Sequence, residues 1–109
     1  QRQLTHIIDR RSRIYEHLLP IYLSPIFQRQ RANQEPKDSL HLAATRRRKR
    51  LNQVLPAELR NNKPLFEAID ATLGIEFWMS LRHSQQLSAK KTRQVVTTAL
   101  DRLIADPSK

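Results

Sequence analysis

Apolar residues recur every three to four positions along most of the chain, and this period predicts α-helices. No stretch alternates with a period of two for long enough to indicate a strand. Five or six helices joined by short connections predict an all-α bundle that forms a single domain over residues 1–109. The expected helices cover residues 4–23, a short segment after 26, 39–55, 64–73, 75–82 and 88–104.

The last of these helices has the clearest pattern. Ser88 suits its N-cap, because a serine hydroxyl can accept a hydrogen bond from the free N–H groups of the first turn. Its apolar arc spans roughly 180°, whereas a surface helix needs only about 100°. We interpret the extra width as contact with a partner; the alternative is a helix deep inside a single-chain bundle. The arc consists of Ala89, Thr92, Val95, Val96, Ala99, Leu100, Leu103 and Ile104.

The stretch before it predicts two short helices rather than one. Pro64 suits a first turn, where a missing N–H removes no hydrogen bond. Gly74 stands where the first helix is expected to end. The period restarts at Ile75, and Arg82 and His83 place positive charge near the end of the second helix, which suits the helix dipole.

Positive charge is unevenly distributed along the 109 residues. The net charge is +10, and residues 1–60 carry 13 Lys and Arg against 5 Asp and Glu. Residues 61–109 carry 7 against 5. An excess of this size favours polyanions but does not identify one.

The chain has no cysteine, which excludes a disulfide scaffold, a thiolate metal site and a cysteine nucleophile. No secretory signal or transmembrane-length apolar segment is present, so we expect a cytoplasmic protein with no membrane partner. The chain begins with Gln1 rather than Met, and we expect it to be a fragment or a processed product.

The most basic segment is Arg46–Arg50. It fits either a phosphate-contacting or targeting patch or a solvated helix face, and we favour a solvated face or contact with an acidic ligand over a dedicated nucleic-acid site. No aromatic residue interleaves with the segment, which disfavours a stacking site for single strands. Five consecutive residues cover all sides of a helix, so Arg47 or Arg48 is expected near the apolar stripe. The segment consists of Arg46, Arg47, Arg48, Lys49 and Arg50.

No motif indicates catalysis, so we expect a protein that is not an enzyme and needs no metal or cofactor. One glycine is too few for a phosphate-binding loop. Glu67, Asp70 and Glu76 are better explained as helix charges than as an acid–base pair. The histidines lie apart from one another in sequence, without metal-ligand spacing: His6, His17, His41 and His83.

Two tyrosines suggest a ligand cavity. Tyr15 and Tyr22 are seven residues apart on one helix face, so both phenols are expected to point into the same interior space, beside Leu18. Aromatic residues at helical spacing are more often plain core, and that interpretation stays the default.

One run of residues resembles a known family. Residues 69–82 read IDATLGIEFWMSLR, followed by QLSA at 86–89 and a closing helix that contains Ala99 and Leu100. This pattern resembles the C-terminal regulatory domain of TetR-type transcriptional regulators. The resemblance covers residues 64–105 well and 4–60 loosely, and it consists of ordinary residues.

The resemblance implies a helical domain that binds an inducer and dimerises. In that family the last two helices of each subunit form a four-helix bundle across a two-fold axis. Carried over, the dimer interface consists of Trp78, Leu81, Val95, Val96, Ala99, Leu100 and Leu103. The implied ligand pocket consists of Tyr15, Leu18, Tyr22, Leu40, Ala44, Phe66 and Ile69.

This chain departs from the family because it has no recognisable helix-turn-helix and too few residues for both domains. We therefore expect the regulatory domain of a repressor: a homodimer with an unidentified small-molecule effector, which meets operator DNA only through a missing N-terminal domain. The alternative is a stand-alone basic module that binds nucleic acid through Arg46–Arg50 and Arg10–Arg13.

Overall fold

The computed structural model describes residues 2–33 and 38–105, and side chains for residues 3–30 and 44–105. The described residues are almost entirely helical, which confirms the all-α prediction. They form seven helices where five or six were predicted: α1 (Arg2–Tyr22), α2 (Pro25–Asn33), α3 (Asp38–Val54), α4 (Ala57–Arg60), α5 (Lys63–Thr72), α6 (Ile75–Met79), which continues as a π-helical turn (Ser80–Ser84), and α7 (Ala89–Ile104).

The helix that the sequence analysis missed is α4. Its four residues are too few to show an apolar period, and a helix of this length is not stable alone. Pro56 caps it in an extended conformation, with φ −60° and ψ 156°. The Arg60 side chain then donates from Nη1 to the Leu55 carbonyl oxygen at 3.1 Å, which ties α4 to the end of α3.

The boundary between α5 and α6 differs in detail from the prediction. Pro64 lies in the first turn of α5 as expected, and Asn62 caps that helix by accepting from Leu65 N at 3.3 Å. Helix α5 ends with Leu73 as its C-cap, and Gly74 is the N-cap of α6, with φ −82° and ψ 162°. A Cβ atom at Gly74 would lie 3.3 Å from the Ala71 carbonyl oxygen. Glycine therefore permits a close approach here rather than a left-handed turn.

The π-helical turn and a left-handed residue lead the chain into α7. Gln85 N donates to the Ser80 carbonyl oxygen at 3.0 Å, and Gln86 has φ 59°. The hydroxyl of Ser88 then accepts from Lys91 N at 3.2 Å. This bond confirms the predicted N-cap of α7.

The core lies where α1, α5, α6 and α7 meet, and α7 packs against both α1 and α5. Helix α3 adds Leu51 and Leu55, which are 0% and 2% exposed. The other buried apolar residues are Leu4, Ile7, Ile8, Tyr15, Tyr22, Phe66, Ile69, Leu73, Trp78, Met79, Leu81, Val96 and Leu100.

The apolar arc of α7 is largely covered by its own chain. Val96 and Leu100 are only 4% and 2% exposed, and Thr92 is fully buried. These central positions favour the single-chain interpretation of the wide arc, so their burial requires no second copy. The predicted homodimer stays a prediction, and only the flank of α7 remains to support it.

Candidate functional site

The predicted dimer interface divides into a buried part and a half-buried part. Trp78, Leu81, Val96 and Leu100 belong to the core of the single chain. Val95, Ala99 and Leu103 are half-buried, and their spacing of four residues places them in one row along α7. We call these three residues the α7 row. Residues at positions 94 and 98, next to the row on the helix surface, are exposed.

A carboxylate on α1 holds the second predicted interface helix in place. Glu16 Oε2 accepts from Trp78 Nε1 at 2.8 Å and from Arg82 Nε at 2.7 Å, and Oε1 accepts from Arg82 Nη2 at 3.0 Å. Arg82 Nη1 also donates to the Leu87 carbonyl oxygen at 2.8 Å. One charged pair therefore fixes α6, its π-helical turn and the connection to α7 against α1. We call this arrangement the Glu16 clamp.

The clamp shifts the pKa values of Glu16 and Arg82. Its hydrogen bonds from Arg82, and secondarily from Trp78, lower the pKa of Glu16, while burial acts in the opposite direction. The bond to Glu16 raises the pKa of Arg82. Sequence analysis did not find this pair, because 66 residues separate Glu16 from Arg82 and nothing local marks them.

A second ion pair joins α1 to α7. Arg93 Nη1 lies 2.6 Å from Asp9 Oδ1, and the other Asp9 oxygen lies 3.4 Å from Arg13 Nη2. With the Glu16 clamp, this pair fixes the relative positions of the first and last helices.

The part of the predicted ligand pocket beside Tyr15 is filled. Tyr15 and Tyr22 are both buried as predicted, but Tyr15 donates its hydroxyl to the Leu73 carbonyl oxygen at 2.9 Å and Tyr22 donates to the Glu76 carboxylate. The space beside Tyr15 measures about 10 Å³, which suits about one water molecule.

The other predicted pocket residues do not enlarge this space. Phe66 and Ile69 are core residues, and Leu18 and Ala44 are half-buried. Leu40 lies outside the residues whose side chains are described. The structure therefore brings the tyrosines to one interior face without a cavity for an effector beside Tyr15.

The basic segment of α3 points in several directions rather than forming one patch. Arg48 is half-buried, and its guanidinium contacts Glu67 Oε2 at 2.6 Å and Asp70 Oδ2 at 2.9 Å, with Cζ 5.1 Å from the centre of the Phe66 ring. The prediction that Arg47 or Arg48 lies near the apolar stripe is confirmed for Arg48. Its hydrogen bond to Glu67 raises the pKa of Arg48 and lowers that of Glu67.

The charge of Arg47 acts on Arg11 of α1. Arg11 on α1 donates from Nη1 to the Leu73 carbonyl oxygen at 3.2 Å. Burial lowers the pKa of Arg11, and the charge of Arg47 lowers it further. The exposed Arg47 is therefore near enough to Arg11 for their charges to repel, while Arg48 binds carboxylates of α5. Arg46, Lys49 and Arg50 are exposed.

An open groove lies between α3 and the α4–α5 segment. Its volume is about 470 Å³, within the range of small-molecule sites. Four cationic side chains and one carboxylate line it, so the lining carries three excess positive charges. The lining residues are Thr45, Arg48, Lys49, Asn52, Arg60, Lys63, Phe66 and Glu67. We call it the basic groove; the sequence analysis found only its α3 wall.

Residues that could bind a metal do not gather in the described part of the chain. No group of three or more His, Asp or Glu side chains is placed to hold an ion there. Glu67 and Asp70 pair with Arg48, and Glu76 accepts from Tyr22. None of the described helices has the length and apolar character to cross a bilayer.

Comparisons with known proteins add no assignment. The chain matches no family model, no curated protein and no solved structure.

Proposed function

We propose that this chain is the dimerisation and regulatory module of a TetR-like transcriptional regulator. The α7 row carries the proposal, because Val95, Ala99 and Leu103 stay half-buried beside the covered centre of the helix, Val96 and Leu100. Ala89 and Ile104, at the two ends of α7, are half-buried as well. The resemblance of residues 64–105 to the regulatory domains of that family supports it further.

The α7 row suits packing against a second copy of itself. A two-fold interface uses the same patch on both subunits, and residues spaced by four form the ridges that pack between helices. The row itself carries no charged side chain, and the exposed Lys91 and Arg102 lie beside it, four residues before Val95 and three after Ala99.

Regulation would act through the positions of α1 and α7. Glu16 and Asp9 on α1 bind Arg82 and Arg93, so a change at either end of these pairs alters how α1 meets the dimerising helix. An effector that binds one such arrangement more tightly shifts the population towards it. In a full-length dimer that shift would change the spacing of the two recognition helices.

Sedimentation equilibrium tests the dimer. We expect the unmodified chain to dimerise, and Ala99→Arg to be a folded monomer, because it places a charge in the centre of the α7 row. Thr98→Arg adds the same charge at the neighbouring exposed position and should leave the dimer intact. Leu100→Arg is unsuitable, since Leu100 is 2% exposed within its own chain and its replacement would unfold it. An unmodified chain that stays monomeric would refute the proposal.

The alternative, a stand-alone nucleic-acid-binding module, has weaker support. Arg46, Arg47, Lys49 and Arg50 are exposed, but residues this close together in one helix point to different sides of it. Arg48 is already paired with two carboxylates. A contiguous row of phosphate contacts along this helix would need these side chains on one face.

A further inference from the structure

The basic groove combines a concave shape with an excess of positive charge. Phe66 forms an apolar part of its lining, although the residue is only 8% exposed. Lys49 on α3 lies on one wall and Lys63, the first residue of α5, lies on the other. Two helices and the α4 turn therefore bring together cations that are distant in sequence.

The arginines in the groove are already bound by the protein. Arg48 contacts Glu67 and Asp70, and Arg60 donates to the Leu55 carbonyl oxygen. These bonds fix both guanidinium groups without an external ligand. The charge of Arg60 is not offset by these carbonyl contacts, whereas that of Arg48 is offset by its two carboxylates.

The two lysines of the groove, Lys49 and Lys63, are exposed to solvent. Within residues 3–30 and 44–105, neither has a carboxylate at ion-pair distance. Lys63 is close enough to Glu67 to help lower the pKa of that carboxyl, although the hydrogen bond from Arg48 is the main cause. The ammonium groups of Lys49 and Lys63 are therefore available to an anion that enters from solvent.

We propose that the basic groove binds a small phosphorylated molecule. Its phosphate oxygens would bind Lys49 and Lys63, beside the fixed guanidinium of Arg60. The lining carries three excess positive charges, or two when Asp70, the second partner of Arg48, is counted with it. A phosphate ester or diphosphate carries two or three negative charges and matches this excess, whereas a single carboxylate carries one. The apolar surface of Phe66 suits the carbon part of the ligand. That this ligand is the effector rests on the proposed function; the binding itself does not.

Pyrophosphate is the probe for this site. In a titration followed by amide chemical shifts, we expect saturable changes at residues that line the groove. The double variant Lys49→Gln/Lys63→Gln should weaken pyrophosphate binding by about tenfold or more, because it removes two charge-assisted contacts. The matched control is Lys90→Gln/Lys91→Gln, which removes the same charge from exposed positions on α7. At equal ionic strength its affinity for pyrophosphate should be within about twofold of that of the unmodified chain.

Three results would overturn the proposal. Equal weakening by both double variants would mean that pyrophosphate senses only the net charge. Shifts that never saturate would mean that the groove is not a site. A DNA duplex that binds through Lys49 and Lys63 while pyrophosphate does not would make the groove a nucleic-acid contact. Saturable pyrophosphate binding by a chain that sediments as a monomer would sustain the site and remove only the effector role.

Discussion

Glu16 shows how much of this fold depends on one side chain. Its two oxygens accept three hydrogen bonds from Trp78 and Arg82, and the Trp78 ring also packs at 6.2 Å from that of Tyr15. Hydrogen bonds to a charged group stabilise more than neutral ones, and an arginine that binds both oxygens of a carboxylate also fixes its orientation. The clamp therefore holds α6 against α1 through geometry as well as charge.

Replacing Glu16 with Gln should lower the free energy of unfolding by about 1–3 kcal/mol at pH 7, the range for hydrogen bonds to charged groups. Urea denaturation followed by circular dichroism measures the loss. Glu58→Gln is the matched control, because Glu58 is exposed on α4, and it should change stability by less than about 0.5 kcal/mol.

The effect of Glu16→Gln should also depend on pH. The clamp lowers the pKa of Glu16 in the folded state. The stabilisation by the clamp is therefore fully present at pH values above the pKa of an unfolded glutamate, about 4.3. This stabilisation is lost as the pH falls through the lower pKa that Glu16 has in the folded state. The difference between the two proteins should therefore shrink below about pH 4. A constant difference down to pH 2 would mean that ionised Glu16 does not stabilise the fold.

At the scale of elements, the longer helices could be predicted because their apolar period is set locally. Ser88 and Pro64 marked two helix starts correctly, since a cap and a first-turn proline act within one turn. Helix α4 could not be predicted, because four residues contain only about one turn and their helix depends on Pro56 and Arg60.

The candidate sites were less predictable than the helices. The wide arc of α7 was read correctly as apolar, yet a sequence cannot distinguish burial by its own chain from burial by a partner. Val96 and Leu100 prove to be in the core, while Val95 and Ala99 lie on the flank. The basic groove needs Lys63 and Arg60 opposite Lys49, a relation that arises only when α4 and α5 fold back beside α3.

The N-cap of α7 should have a measurable effect. Ser88→Ala removes the acceptor for Lys91 N and should lower the free energy of unfolding by about 1 kcal/mol. Ser88→Gly should lower it by only about a few tenths of a kcal/mol. Ser84→Ala, at an exposed serine in the π-helical turn, is the control and should be close to neutral. Thermal denaturation of the three variants checks this order; an equal effect of Ser84→Ala would contradict the cap.

In the molecule as a whole, α3 carries apolar residues on one face and positive charges on its flanks. Its core face carries Leu51 and Leu55, while Arg47 and Arg48 lie on its flanks. Of these two arginines, Arg48 seats α3 against α5 through its two carboxylates, whereas the charge of Arg47 repels that of Arg11. The basic groove gathers cations from α3, α4 and α5 in one concave surface.

Cysteine cross-linking shows whether the α7 row meets a second copy of the chain. The chain has no native cysteine, so Val95→Cys, Ala99→Cys and Leu103→Cys each introduce a single thiol. A disulfide requires Cα atoms within about 7 Å, a separation reached only near the two-fold axis of paired helices. We predict rapid disulfide-linked dimers from at least one of these variants and none from Gln94→Cys or Thr98→Cys. Cross-links from none of the row positions, or equally from all five positions, would mean that the α7 row does not pair with a second copy of itself.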